Sequence, residues 1–279
     1  MAERDEGDQN GGASPMDELG PASERGRLLA QAAAAARAAG HKEMAAAIAE
    51  QRVGDARALV IQAPTIEGLR ELSDALYLRA AIALEDEDDA GLAWGTLLDR
   101  LDVLNQLIVA APTVSHFRAK SDLLSTLSAF VDAETHGEVY LSFLSERAVV
   151  ARQWMYGCDQ PAEPAGVLAD CAELVGQLSL SRGEPEKALA AFHDAIRGLE
   201  LVAQTTPENN AHAVLRIAAA HWNAASVADE EDRVDHLEAA WTIATQLEQH
   251  GLQHEVVTRI RQGAGLALAA LRSVDPAQG

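Results

Sequence analysis

The tripeptide Ala63-Pro64-Thr65 returns 48 residues later as Ala111-Pro112-Thr113. The match runs on without a gap. Arg70 pairs with Arg118, Ser73 with Ser121, Asp74 with Asp122 and Leu76 with Leu124, so seven of fourteen positions are identical. Ile66 and Leu69 are replaced conservatively by Val114 and Phe117. A fixed period constrains a chain strongly, because each period must build one unit that buries its apolar face against the next.

The same spacing continues more weakly. Asp170 lies 48 residues beyond Asp122, and a small residue recurs at Ala33, Ala80, Ser128, Gly176 and Ala224/Ala225. Small side chains at a fixed interval mark places where two helices approach closely. Turn signals punctuate each period at Gly40-His41, 85–89, Thr135-His136-Gly137, 181–185 and 229–232. A second set lies near Pro64, Pro112, Pro161/Pro164, Pro207 and Gly251. Between them the apolar spacing is helical, as in Leu97, Leu101, Leu104 and Ile108. Aromatics are only 4% of the chain, and the abundant residues are the strong helix formers Ala, Leu, Arg and Glu. The fold class that follows is all-α: about five antiparallel helical hairpins, stacked as an α-solenoid, with a capping helix near Gln253 to Arg272. Residues 1–22, rich in acids, Gly and Pro, read as a disordered acidic tail. Residues 23–272 form the repeat domain, and residues 273–279 read as a disordered C-terminus.

One stretch carries a more specific spacing. Gly176 is followed by Gly183 seven residues on, Ala188 five further, Phe192 four further and Ala195 three further. This pattern is similar to the tetratricopeptide (TPR) repeat. Leu237, Trp241 and Ala244 resemble the second-helix positions of the following unit, and Gly40, Ala45 and Ala49 those of an earlier one. The 48-residue period exceeds the usual one, so the helices are longer. The resemblance implies a TPR-like stack in which Gly176 and Ala188 let two helices touch, while Phe192 and Ala195 fill the seam. It also implies binding of a protein or peptide in a groove. Fold and task are separable, so the groove is an expectation.

Charge sorts the partners. The formal net charge is −21, which disfavours nucleic acid and anionic membranes and favours a basic protein or peptide. Residues 25–62 are the exception, with Arg25, Arg27, Arg37, Lys42, Arg52 and Arg57 against Glu43, Glu50 and Asp55. This basic stretch could dock the acidic tail or another copy of the chain, or form an ordinary solvated face. No apolar run approaches the roughly 18 residues of a membrane span. The acidic start lacks the basic opening of a secretory leader. Two cysteines, Cys158 and Cys171, give neither a disulfide scaffold nor a four-cysteine zinc site. The expected location is cytoplasmic, with reduced thiols.

The resemblance places Asp74, Asp122 and Asp170, each six residues before the small residue of a first helix, toward the groove. Tyr77 and Glu173 follow one turn on. These five are the expected partner-binding residues. The local alternative makes Arg70–Asp74 and Arg118–Asp122 surface pairs of i,i+4 type. Aromatics fill gaps between hairpins, with Trp154-Met155-Tyr156, beside a Gly/Cys/Pro loop, as the exception that could anchor a partner. His250/His254 and His212/His221 do not form a convincing metal set, since Gly251 interrupts the first and no further ligand accompanies the second. No nucleophile elbow, zincin motif or phosphate loop is present, and Gly263-Ala264-Gly265 follows no strand. The sequence therefore predicts a non-catalytic scaffold or adaptor with no cofactor and no metal. A ligand-responsive sensor and an enzyme or metal protein are the alternatives.

Overall fold

The computed structural model describes residues 24–85, 89–206 and 210–273. Among these there are eleven α-helices and no strand. They are α1 (Glu24–Ala38), α2 (Lys42–Gln62), α3 (Ile66–Ala83), α4 (Ala90–Ala110), α5 (Val114–Ala129) and α6 (Gly137–Tyr156). Then come α7 (Ala162–Ser181), α8 (Pro185–Thr205), α9 (Asn210–Ala225), α10 (Glu230–Gln249) and α11 (Glu255–Ser273). Five helix pairs and a closing helix match the count expected from the repeat. The expected acidic tail, the C-terminal residues after Ser273, the turn at 86–88 and Pro207 lie outside the described residues.

The chain divides into two compact units, 1–119 and 120–279, with the division inside α5. Within the first unit α1 packs on α2, α2 on α3 and α3 on α4. Within the second, α6 to α11 likewise pack each on the next. Each helix thus packs on its neighbour in sequence, as stacked helical hairpins require in each unit.

The repeated tripeptide forms the same joint twice. Ala63 and Ala111 end α2 and α4 in extended conformation, each amide bonded four residues back, to the carbonyls of Leu59 and Leu107. Proline then forbids continuation of the helix. The Thr65 hydroxyl accepts from the Gly68 amide at 3.0 Å, and the Thr113 hydroxyl from the His116 amide at 3.4 Å, so each threonine caps the next helix. At the other ends, Gly40 after α1 and Gly183 after α7 adopt φ of 77° and 71°. A Cβ there would be strained, which is why glycine ends these helices.

The recurring small residues are all buried: Ala33, Ala80, Ser128, Gly176, Ala224 and Ala225. Gly176 is covered by the ring of Phe192, and a Cβ on it would lie 2.5 Å from Phe192 Cε1. Phe192, Ala188 and Ala195 are wholly buried. The spacing that resembles the TPR motif thus corresponds to one close contact between α7 and α8. On α11, Gly263 faces the six-membered ring of Trp222 and Gly265 faces the indole nitrogen side of Trp241. The Gly263-Ala264-Gly265 stretch makes room for two tryptophans. Trp154, expected to be an exception to gap-filling, is instead buried, whereas Tyr156 two residues on is 94% exposed.

Overpacking predicts the outcome at Gly176. Gly176→Leu should destabilise unit 2 by about 1–3 kcal/mol, read as a lower midpoint in chemical denaturation. Adding Phe192→Leu to the milder Gly176→Ala should recover part of that variant's loss, because the flexible leucine can move aside. A midpoint unchanged by Gly176→Leu would contradict the close contact.

Candidate functional site

In unit 1, α3 carries most of the polar chemistry. Arg52 of α2 and Glu71 of α3 are buried and joined at 2.9 Å. Gly26 of α1 lies against the Glu71 carboxylate, where no Cβ could fit. A buried pair of this kind costs desolvation that its attraction roughly offsets, so it fixes register more than it adds stability. One turn along α3, Asp74 is half-buried. Burial pushes its carboxyl up to about 6, and the neighbouring Glu71 adds to this. The charges of Arg52, Arg100 and Arg70 act in the opposite direction. Tyr77, three residues on, is 51% exposed, and the Arg100 guanidinium stacks 4.6 Å from its ring centroid.

Arg70 does not spend its Nε on Asp74. It donates to His116 Nε2 at 3.2 Å. His116 Nε2 is therefore the acceptor, so Nδ1 carries the proton and donates to the Ala111 carbonyl at 2.7 Å. This imidazole is fully buried and burial keeps it neutral. It ties the Ala111 joint to α3.

In unit 2 the expected residues part company. Asp122 is exposed on α5, and its backbone carbonyl accepts from the Thr126 hydroxyl at 3.0 Å. Asp170 and Glu173 of α7 instead converge on one cation. Arg216 of α9 donates to Asp170 at 2.6 Å and to Glu173 at 2.8 and 3.2 Å. The bonds from the two carboxylates raise the arginine's affinity for its proton against the opposing effect of burial. Cys171 beside them is buried, and burial pushes its thiol up to about 11, so it is not a nucleophile at neutral pH.

Four of the six basic residues of the first hairpin are engaged within unit 1. Arg25 pairs with Asp55, Arg37 with Glu85, Arg52 with Glu71 and Arg57 with Asp99. The exposed members of this set contribute little each, but they cancel the local positive charge.

Two clefts open on unit 1. One of about 280 Å³ is lined by Leu59, Gln62, Thr65, Glu67 and Glu71 among others. The other, of about 260 Å³, is lined by Ala46, Glu50, Arg79, Ile82 and Asp89 among others. Neither has an aromatic wall. Among the described residues no group of three or more His, Cys, Asp or Glu side chains has geometry for a metal ion. None of their helices is long and apolar enough to cross a membrane.

Arg100, His116 and Arg216 were not among the residues singled out from sequence, and Arg52 was named only as part of the basic stretch. A signal for several of the links existed. Arg37–Glu85, Arg70–His116, Arg182–Glu138 and Arg216–Asp170 are separated by 48, 46, 44 and 46 residues. Polar partners therefore sit about one repeat apart, and complementary charges at that offset would have revealed the three ion pairs among them.

No family model matches the chain, and no curated protein matches it. Several solved structures are similar to it. The nuclear import adaptor Nro1, a hypoxic regulator of sterol synthesis, shares 11% identity over 90% of this chain and 94% of its own, with a TM-score of 0.40. The MamA protein shares 13% over 83% and 98%, with a TM-score of 0.34. The de novo designed helical repeat protein DHR64 shares 16% over 81% and 99%, with a TM-score of 0.29.

The raised Asp74 carboxyl has a signed consequence. A group with folded pKa above its unfolded value adds stability that is full below about 4 and is lost as pH rises through about 6. At pH 7 the ionised form therefore costs stability. Asp74→Asn should raise the unfolding free energy of unit 1 at pH 7 by up to about 3 kcal/mol and flatten its dependence between pH 4 and 6. Denaturant melts at pH 5 and pH 7 measure both; a variant less stable than the parent at pH 7 would contradict the desolvation account.

Proposed function

We propose that the protein is a non-catalytic scaffold or adaptor that binds a basic protein or peptide on the first-helix surfaces of its hairpins. Asp74 and Tyr77 of α3 carry this reading. Asp74 is a carboxylate that burial has stripped of water and whose charge is offset through space by arginines. A lysine or arginine side chain placed beside it would be held more strongly than at an open surface, because the local dielectric is lower. Tyr77, half-exposed on the same helix face, adds a flat apolar contact with a polar tip. Arg100, already stacked on that ring, supports the reading with a guanidinium of the chain's own.

Unit 2 offers two further elements of the same reading. Asp122 presents an exposed carboxylate. Asp170 and Glu173 hold Arg216, so a basic partner would have to compete with that internal guanidinium. The clefts of unit 1 are open to solvent and without aromatic walls, which favours a broad contact over the enclosed pocket of a small-molecule sensor. No membrane or nucleic-acid partner forms part of the proposal, since the chain's charge of −21 repels both. The proposed location is the cytoplasm, and no cofactor is invoked.

Binding should be lost on acidification. The ionised form of Asp74 attracts a cation, so affinity falls as pH drops through about 6. Calorimetric titration with an arginine-rich peptide should show affinity at least tenfold weaker at pH 5 than at pH 7.5. Asp74→Asn should weaken binding at pH 7.5 and remove most of the pH dependence, and Asp122→Lys should weaken it further with helicity unchanged. Equal affinity for parent and both variants would remove these carboxylates from the binding surface. Recovery of basic proteins in affinity purification from the native host would name the partner.

A further inference from the structure

Three histidines of unit 2 meet across three helices. His193 is on α8, His221 on α9 and His236 on α10. His236 uses both ring nitrogens. Its Nε2 lies 3.0 Å from His193 Nε2, and its Nδ1 lies 2.9 Å from His221 Nδ1. Both pairs of ring centroids are 5.1 Å apart, and all three side chains are half-buried.

Each nitrogen–nitrogen contact is a hydrogen bond only if one proton lies in it. Three neutral rings satisfy both contacts, because each ring carries one proton and the chain can run in either direction. One added proton is also accommodated: His236 with both nitrogens protonated donates to both neighbours. Two added protons are not. Whichever two rings are cationic, at least one contact then holds two facing N–H groups. The second proton must break the chain, and it also sets two cations within one half-buried cluster.

We propose that His193, His236 and His221 form a proton-limited latch that joins α8, α9 and α10 at neutral pH and releases them in acid. The surrounding charges support this limit. Burial, followed by the charge of His193, lowers the proton affinity of His236, against the smaller opposing pull of Asp232 and Asp235 of α10. Burial, followed by the charges of His236 and His193, pushes His221 down to about 4. On α8, Asp194 is engaged by Arg152 of α6 and Arg197. The acids of α7, Asp170 and Glu173, hold Arg216 of α9, and Arg261 of α11 is held by Glu248 of α10. Among the described groups that act on His221, namely burial and the two histidines, there is no carboxylate.

The sign follows from linkage. Histidines with depressed folded pKa stabilise unit 2 fully above about 6.5, and that stability is lost as pH falls toward about 4. Asp74 has the opposite sign and lies in unit 1. Acid should therefore loosen one unit and not the other.

Hydrogen–deuterium exchange of the full chain, corrected for intrinsic rates, tests the latch. Peptides within 185–249 should exchange at least tenfold faster at pH 4.5 than at pH 7, while peptides of α2 and α3 should not. In the double variant His221→Gln/His236→Gln the acceleration should fall below threefold. Acceleration that is absent from the parent, equal in both units, or undiminished in the double variant would overturn the proposal. Nitrogen-15 NMR titration of the parent's histidine rings reads the latch without mutation. At least one of the three rings should stay neutral at pH 5; independent titration of all three near 6.5 would overturn it.

Discussion

Close contact between helices, allowed by small side chains at a fixed interval, is the constraint on which the rest of the structure depends. Alanine buries little area, so an alanine-rich core gains cohesion from proximity, with many weak dispersion contacts summed over near-touching surfaces. Gly176 under Phe192 is the tightest expression of this at the α7–α8 seam. The buried positions Ala33, Ala80, Ser128 and Ala224 apply the same rule in other hairpins. Where large rings enter, glycine yields the space, as Gly263 and Gly265 do for Trp222 and Trp241.

Once helices lie close, charged side chains of neighbouring hairpins in the same unit come within reach. A chain with an excess of acid then distributes its few cations deliberately. Arg37, Arg57, Arg182 and Arg216 each reach an acid about one repeat distant within their own unit. Each exposed link is weak, yet together they decide which carboxylates remain available. Asp170 and Glu173 are occupied by Arg216, and Asp74 is left in a desolvated setting with its charge offset only through space. The same proximity gathers His193, His221 and His236 from three helices.

Much of the architecture was legible in the residues. The Ala-Pro-Thr joints, the Gly40 and Gly183 turns and the six buried small residues all follow from local rules for caps, turns and helical faces. The five pairs plus a closing helix follow from counting periods. The site was only half legible. Asp74 and Tyr77 share a face because three residues separate them on a helix, which the sequence states directly. That Arg70 turns to His116 instead of Asp74 could not be read from an i,i+4 spacing, because a competing acceptor arrives from another hairpin. His236 was passed over for the same reason, since its partners are 43 and 15 residues away.

The order of letters determined everything set by neighbours along the chain: helix starts and stops, the period, the buried stripe and the balance of charge. Tertiary packing alone decided which acids are neutralised and which are stripped of water, and where two ring nitrogens of one histidine find hydrogen-bond partners on two other helices. The reason is range. Caps and periodicity act over a few residues and leave a local signature, whereas desolvation and charge pairing depend on atoms that folding brings together from distant positions.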